Sequence, residues 1–182
     1  MKKLLLLLCF VFIHQVVYPV YFKHLGMSDG LSQVSVMSIY QDCLGRMWFG
    51  TREGVSIYDG ERMRVYKGWE NLDPESSINV LLGHECDHLT GNRQGDIFFR
   101  TCDSLVRYDI REEKFCVVSG CKAKTITSAD GDIWTGYDDM VCRYDEKGDS
   151  LQLYAKTNTP GISSLLISGK KIWIGTYEGL YV

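Results

Sequence analysis

Gly45-Arg46-Met47-Trp48-Phe49-Gly50-Thr51-Arg52-Glu53-Gly54, continued by Val55-Ser56-Ile57-Tyr58-Asp59-Gly60, is the stretch whose reading decides the fold. Two short apolar and aromatic runs are set off by glycines and one polar turn. Runs this brief, bounded by Gly and Asp and rich in aromatic and β-branched residues, read as strands and not as helix. The stretch also recurs. Gly95-Asp96-Ile97-Phe98-Phe99-Arg100-Thr101, Gly131-Asp132-Ile133-Trp134-Thr135-Gly136 and Lys171-Ile172-Trp173-Ile174-Gly175-Thr176 repeat its first half. The aromatic anchors Trp48, Phe98, Trp134 and Trp173 follow one another at 50, 36 and 39 residues. Tyr58-Asp59, Tyr108-Asp109 and Tyr144-Asp145 each begin ten residues after their anchor, a fixed offset that marks one structural unit repeated.

Outward from this core the first unit reads as four strands: Val34 to Tyr40, Met47 to Thr51, Val55 to Tyr58, and Met63 to Tyr66. Asp59-Gly60 is a two-residue hairpin signal for the last of these connections. Strands apolar on both faces need cover on both. Stacking four-stranded sheets against one another provides it, as in the blades of a β-propeller. The fold expected is therefore all-β, a propeller fragment with three complete four-stranded blades and a partial fourth. The units fall at about 34–66, 78–118, 124–154 and 162–182. The second is the longest, and its excess is expected in a loop between Gly83 and Gln94. If Trp48, Trp134 and Trp173 are core anchors alike, replacing any one by Ala should cost about 3–5 kcal/mol.

The chain opens with Lys2 and Lys3 before an unbroken apolar run from Leu4 to Ile13. That charge and length describe a secretory signal, expected over 1–19, and place the rest in the periplasm. No Ala, Gly or Ser between Leu4 and Tyr21 marks the cleavage point. A lasting membrane anchor is the alternative, although His14, Gln15 and Pro19 interrupt the span of about twenty apolar residues it needs. In an oxidising compartment Cys43, Cys86, Cys102, Cys116, Cys121 and Cys142 permit disulfides. Cys116 and Cys121, on either side of Gly120, are the expected bridge; buried free thiols are the other reading, which suits Cys116 and Cys142. The formal net charge is -3, with 20 Lys and Arg against 23 Asp and Glu, so nothing basic invites nucleic acid.

Phe22-Lys23-His24-Leu25, Asp29-Gly30-Leu31-Ser32-Gln33, Gln41-Asp42 and Trp48-Phe49-Gly50-Thr51-Arg52-Glu53-Gly54, closing on Tyr58-Asp59-Gly60, resemble the two-component regulator propeller. This is the extracytoplasmic sensor region of Bacteroides-type hybrid histidine kinases. Arg100 and Thr135 depart from the pattern, where Gly and an apolar residue are usual. The resemblance implies a longer protein with a kinase output, so the chain is expected to be a truncated detector. It also implies carbohydrate sensing. In the family the strand after the signal, here Val20 to Leu25, supplies the outer strand of the last blade. The chain could thus close as a four-bladed ring, or two chains could associate through their open blade edges.

Propeller ligands meet the loops at one end of the channel. The corresponding residues are Arg52, Glu53, Asp103, Ser104, Tyr137, Asp138, Tyr177 and Glu178, with Ser32, Gln33 and Trp69 on the links between blades. Aromatic platforms beside carboxylates and an arginine suit an oligosaccharide, whose apolar face stacks while its hydroxyls pair with charged groups. Ordinary solvated turn residues would look similar. His84-Glu85-Cys86-Asp87-His88 would, if extended, put His84, Cys86 and His88 on one face as a zinc-ligand trio. No catalytic motif is present, and nothing calls for a cofactor. A streptogramin-lyase-like enzyme, needing His84 or His88 beside Glu53, and a non-functional remnant are the two rivals to a sensor.

Overall fold

The structure, a computed structural model, describes residues 21–67, 83–120 and 122–182. The signal-type segment, Val20, Trp69 and Cys121 lie outside these residues. Among the described residues there is no α-helix, and no helix is long and apolar enough to cross a membrane.

Four antiparallel sheets follow one another along the chain, each with its strands in sequence order. The first holds β1 (Val36–Gln41), β2 (Met47–Thr51), β3 (Gly54–Tyr58) and β4 (Met63–Tyr66). The second holds β5 (Cys86–Gly91), β6 (Ile97–Thr101), β7 (Ser104–Asp109) and β8 (Lys114–Val117). The third holds β9 (Thr125–Ala129), β10 (Asp132–Tyr137), β11 (Met140–Asp145) and β12 (Ser150–Lys156). The fourth has three strands, β13 (Ile162–Ser168), β14 (Lys171–Thr176) and β15 (Gly179–Tyr181). Sheets pack face to face, first strand on first strand: β1 against β5, β5 against β9, β9 against β13. This is the expected run of propeller blades, three complete and one partial.

Period-two alternation sorts each strand's side chains between two neighbours. In β6, Ile97 and Phe99 enter the core shared with the first sheet, while Phe98 enters the core shared with the third. In β7, Val106 and Tyr108 face the first sheet and Leu105 the third. A third, smaller core joins Trp134 and Val141 to Ile162 and Ile174. The repeat's two signatures meet across these junctions. Trp48 sets its ring 4.8 Å from that of Tyr108, and Phe98 lies 4.9 Å from Tyr144, both edge to face. Trp134 takes its edge contact with Tyr154 of its own sheet instead, at 4.7 Å. The anchors are therefore unequal: Trp48, Phe98 and Trp134 are buried but Trp173 only half-buried. Within a single chain, replacing the half-buried Trp173 should cost less than replacing Trp48 or Trp134.

Glycine at the second-strand position lets the next sheet come close. A Cβ on Gly50 would lie 2.4 Å from the Cys86 carbonyl oxygen, and one on Gly136 would lie 2.5 Å from Ile162 Cγ2. Arg100 occupies this position in the second sheet and turns its guanidinium onto Asp87, its cross-strand partner.

Four expectations need correction. Residues 67–85 separate β4 from β5, whereas 118–124 and 157–161 suffice at the later junctions, so the extra length lies between blades and not in Gly83 to Gln94. Much of that stretch is β5. The Asp59-Gly60 hairpin is a four-residue turn, because Tyr58 pairs with Met63. Asp59 Oδ1 accepts from the amides of Glu61 and Arg62 at 2.9 and 2.7 Å, and this side-chain closure favours the longer turn. Residues 21–25 form no strand and do not complete the fourth sheet; Lys23 Nζ instead lies 5.8 Å from the Tyr58 ring centre. Cys116 is a free thiol among the described residues, and its expected partner Cys121 lies outside them.

Candidate functional site: the end formed by the second-to-third strand turns

Every sheet turns from its second to its third strand through two residues: Arg52-Glu53, Cys102-Asp103, Asp138-Asp139 and Tyr177-Glu178. Identical strand order in stacked sheets brings these turns to one end of the molecule. Local chemistry fixes them. Thr51 Oγ1 donates to the Gly54 carbonyl at 3.0 Å and accepts from the Glu53 amide at 3.1 Å. Thr176 does the same with Gly179 and Glu178, at 3.1 and 3.2 Å. Cys102, Asp103 and Asp138 have φ values of 47, 60 and 55°, the left-handed backbone that tight hairpins require. Asp103 and Asp138 therefore stand in turns as read from the sequence, while Ser104 and Tyr137 are the adjoining strand residues.

Within the second sheet the residues at and beside the turn are tied into an ionic network. Arg100 Nε donates to Asp87 Oδ1 at 2.8 Å, and its terminal nitrogen reaches Asp87 Oδ2. His88 Nδ1 lies 2.8 Å from the same Oδ1, and Asp103 sits 3.7 Å from the guanidinium. Burial disfavours the Asp87 carboxylate, but bonds from His88 and Arg100 outweigh it and hold its pKa below the ordinary value. Arg52 faces Glu85 at 3.9 Å, and Glu53 faces Lys67 at 3.8 Å. These groups chiefly satisfy one another. Arg100, Glu85 and Asp87 were missed as members; the one signal was that Arg100 breaks the glycine pattern.

The junction of the third and fourth sheets is different. A cleft of about 330 Å³ opens there, lined by Lys124, Tyr137, Asp138, Gly161, Ile162 and Tyr177. Lys122 Nζ lies 5.5 Å from the Tyr137 ring centre. Ile162 anchors the floor by donating its amide to the Asp138 carbonyl at 2.9 Å. Gly161, at φ 90°, passes so near Tyr177 that a Cβ would lie 2.6 Å from its ring. The Tyr177 ring itself is 79% exposed. Three residues singled out in the sequence, Tyr137, Asp138 and Tyr177, thus converge on one cavity, with Glu178 on the same turn. Lys122, Lys124 and Gly161 were not foreseen. They come from links between blades, which carry no repeat signal.

The remaining candidates fall elsewhere. Ser32 is buried, donating its amide to Ser56 Oγ at 3.0 Å, and Gln33 accepts from the Ser35 amide, so both serve the local fold. Trp69 is outside the described residues. The His84, Cys86 and His88 trio is not assembled. A bulge between Asp87 and Thr90 breaks the alternation, and His88 has φ 54°. Cys86 is buried in the first junction's core, where burial pushes its thiol up to about 12, far from a metal-binding thiolate. Among the described residues no group of three His, Cys, Asp or Glu side chains could hold a metal ion. The His84 carbonyl accepts from the Gly54 amide at 3.0 Å, which brings its backbone beside the Glu53 turn. A second cleft, of about 380 Å³, opens at the opposite end around Arg93, Asp132, Arg143, Glu146 and Tyr154.

No family model matches the chain. Over 59 residues it is 41% identical to histidine kinase P4 of Formosa agariphila, a match covering 32% of this chain and 4% of that protein. Its structure superposes on the extracellular domain of the hybrid two-component system BT3049 of B. thetaiotaomicron with a TM-score of 0.72 and 25% identity. That alignment covers 87% of this chain and 24% of the other. The extracellular domain of BT4673 from the same organism gives a TM-score of 0.67 at 15% identity, over 87% and 21% of the two chains, a likeness of fold alone. The resemblance to the sensor propellers of Bacteroides hybrid two-component systems therefore holds in structure as in sequence. The chain spans about a quarter or less of the length of each of these proteins.

Proposed function

We propose that this chain is an extracytoplasmic, non-enzymatic sensing segment of the hybrid two-component type, and that it binds an oligosaccharide in the cleft between its third and fourth sheets. The observation that carries the reading is the convergence of two tyrosine rings, a lysine and an aspartate on one open cavity of about 330 Å³, with Lys122 beside the Tyr137 ring. Sugar rings stack their apolar faces on tyrosine, and their hydroxyls exchange hydrogen bonds with carboxylate and ammonium groups. The cleft is shallow and already shaped by Gly161 and Ile162, as a recognition surface should be. Kinship with extracellular domains of two-component systems supports the sensor role, and the lysine-led apolar segment at the start of the chain supports export.

A lyase is less favoured, because Glu53 faces Lys67 and His88 lies against Asp87, and these contacts do not join Glu53 to His88 as an acid–base pair. Titration calorimetry against a panel of neutral and acidic oligosaccharides tests the proposal. Saturable binding is expected, weakened about tenfold or more in Tyr177→Ala and Tyr137→Ala, as when a stacked aromatic is removed at roughly 1–2 kcal/mol. A panel without a binder, or a binder indifferent to both substitutions, would sink it.

A further inference from the structure

The face of the fourth sheet that points away from the third is shaped to receive another blade. We propose that it receives the first sheet of a second copy of this chain, so that two chains close head to tail into one ring.

Register aligns the sheets residue by residue. Leu180 stands opposite Gly175 as Val55 stands opposite Gly50, Leu105 opposite Arg100 and Val141 opposite Gly136. Val55, Leu105 and Val141 are each 0% exposed, closed over by the next sheet, whereas Leu180 is 65% exposed. Trp173 holds the place of the buried Trp48 and Phe98, yet is half-buried, with the Lys171 ammonium 5.8 Å from its ring centre. Gly50 and Gly136 make room for the following sheet. Gly175 leaves the same notch, and the three atoms nearest to it belong to Ser163 and Ser164 of its own sheet.

The complementary surface is at the other end of the chain. Val36 pairs with Thr51 as Cys86 pairs with Thr101 and Ile162 with Thr176. Cys86 and Ile162 are 0% and 1% exposed, Val36 37%. Tyr58 aligns with Tyr108 and Tyr144, which receive Trp48 and Phe98 edge to face. Among the described residues the chain thus presents an anchor tryptophan with no tyrosine ring against it at one end, and an anchor tyrosine with no tryptophan ring against it at the other. These are the two halves of an aromatic contact that the chain already builds twice internally, at its first and second junctions, which is why the occupant is a second copy. Leu31 and Ser32, which cover Ser56, remain in the junction as Val118 and Ala123 do between the second and third sheets. Residues 21–25 are the part that yields, uncovering Tyr58 from Lys23.

A head-to-tail contact either closes or polymerises. Four sheets from each of two chains make a ring of eight, within the range of about four to eight blades that propellers adopt. The test is mass by light scattering on chain purified from the periplasm of an expression host. Twice the single-chain mass is expected over a wide concentration range, falling to the single-chain mass in Val36→Arg with strand content unchanged by circular dichroism. Because Val36 is already partly exposed, that variant should fold. Val36→Cys combined with Gly175→Cys should in addition give a reducible two-chain band, its linked peptides drawn from differently isotope-labelled chains. A single-chain mass throughout overturns the proposal and leaves the face to further blades of a longer polypeptide. An open series of larger species, or a dimer untouched by Val36→Arg, overturns it as well.

Discussion

Asp42 shows how one residue organises a blade. Its Oδ1 accepts from the amides of Leu44 and Arg46, at 3.0 and 2.8 Å, closing the turn between β1 and β2. Its Oδ2 accepts from Arg46 Nε at 2.7 Å and from Trp48 Nε1 at 2.8 Å, so the turn also aims the anchor tryptophan into the junction. Burial opposes the carboxylate's charge, but the bonds from Trp48 and Arg46 prevail and set its pKa below the ordinary 3.8. A carboxylate depressed in the folded state contributes stability that is complete above its unfolded pKa and lost as pH falls through the folded value. Asp42→Asn should therefore lower stability at neutral pH by about 1.5–3 kcal/mol, the worth of hydrogen bonds to a charged group. In urea unfolding the gap between variant and wild type should narrow as the pH drops below about 4, where the unfolded chain's Asp42 takes up a proton that the folded carboxylate resists. An equal gap at pH 7 and at pH 3 would remove the charge from the explanation.

At the scale of the element, the second strand of each sheet sets how closely the next sheet approaches. Gly50 is the tightest case, since its missing Cβ is the space taken by the Cys86 carbonyl oxygen. Backbone does not yield as a side-chain tip does. Gly50→Val should thus force the first two sheets apart and cost about 1–3 kcal/mol, as overpacked cores do, read from the midpoint of thermal unfolding. Near-wild-type stability would mean the junction tolerates a wider spacing. Arg100 shows the other solution. It stands where a glycine is usual, and its guanidinium is held on Asp87 of its own sheet. A further ionic tie joins the second and third sheets: Arg107 reaches Asp96, Asp109 and Asp149 at 3.0, 3.1 and 3.1 Å. Tyr144 donates to the same Asp149 at 2.6 Å, and burial pushes its hydroxyl pKa upward.

Across the whole molecule, stability is a sum over neighbouring sheets, because each contacts only the next. The inner sheets are covered on both faces. The fourth rests on a core of four buried residues, Trp134, Val141, Ile162 and Ile174, and leaves Leu166 and Leu180 exposed. Amide hydrogen exchange should follow this order, slowest in β6 and β7 and fastest in β13 to β15 of a single chain. Uniform protection in all four sheets would point to full cooperativity, or to a covered fourth face of the kind a second copy provides.

By itself the sequence determined the repeat, the strand identity of nearly every segment and the turns that would share one end. These follow from local rules: two-residue alternation, glycine and aspartate at turns, and a fixed Trp-to-Tyr offset that survives without knowledge of any partner. Tyr137, Asp138 and Tyr177 could be named because their turns repeat in phase with the anchors. Only the tertiary structure decided that these three share a cleft while Arg52, Glu53 and Asp103 each pair with a charged neighbour elsewhere. Lys122, Lys124 and Gly161 lie on links that obey no period, and the bulge that scatters His84, Cys86 and His88 arises from pairing with β6. Which face of a strand is covered depends on what packs against it. The same position is buried as Val55, Leu105 and Val141 but open as Leu180, and that difference lies in the neighbour, not in the residue.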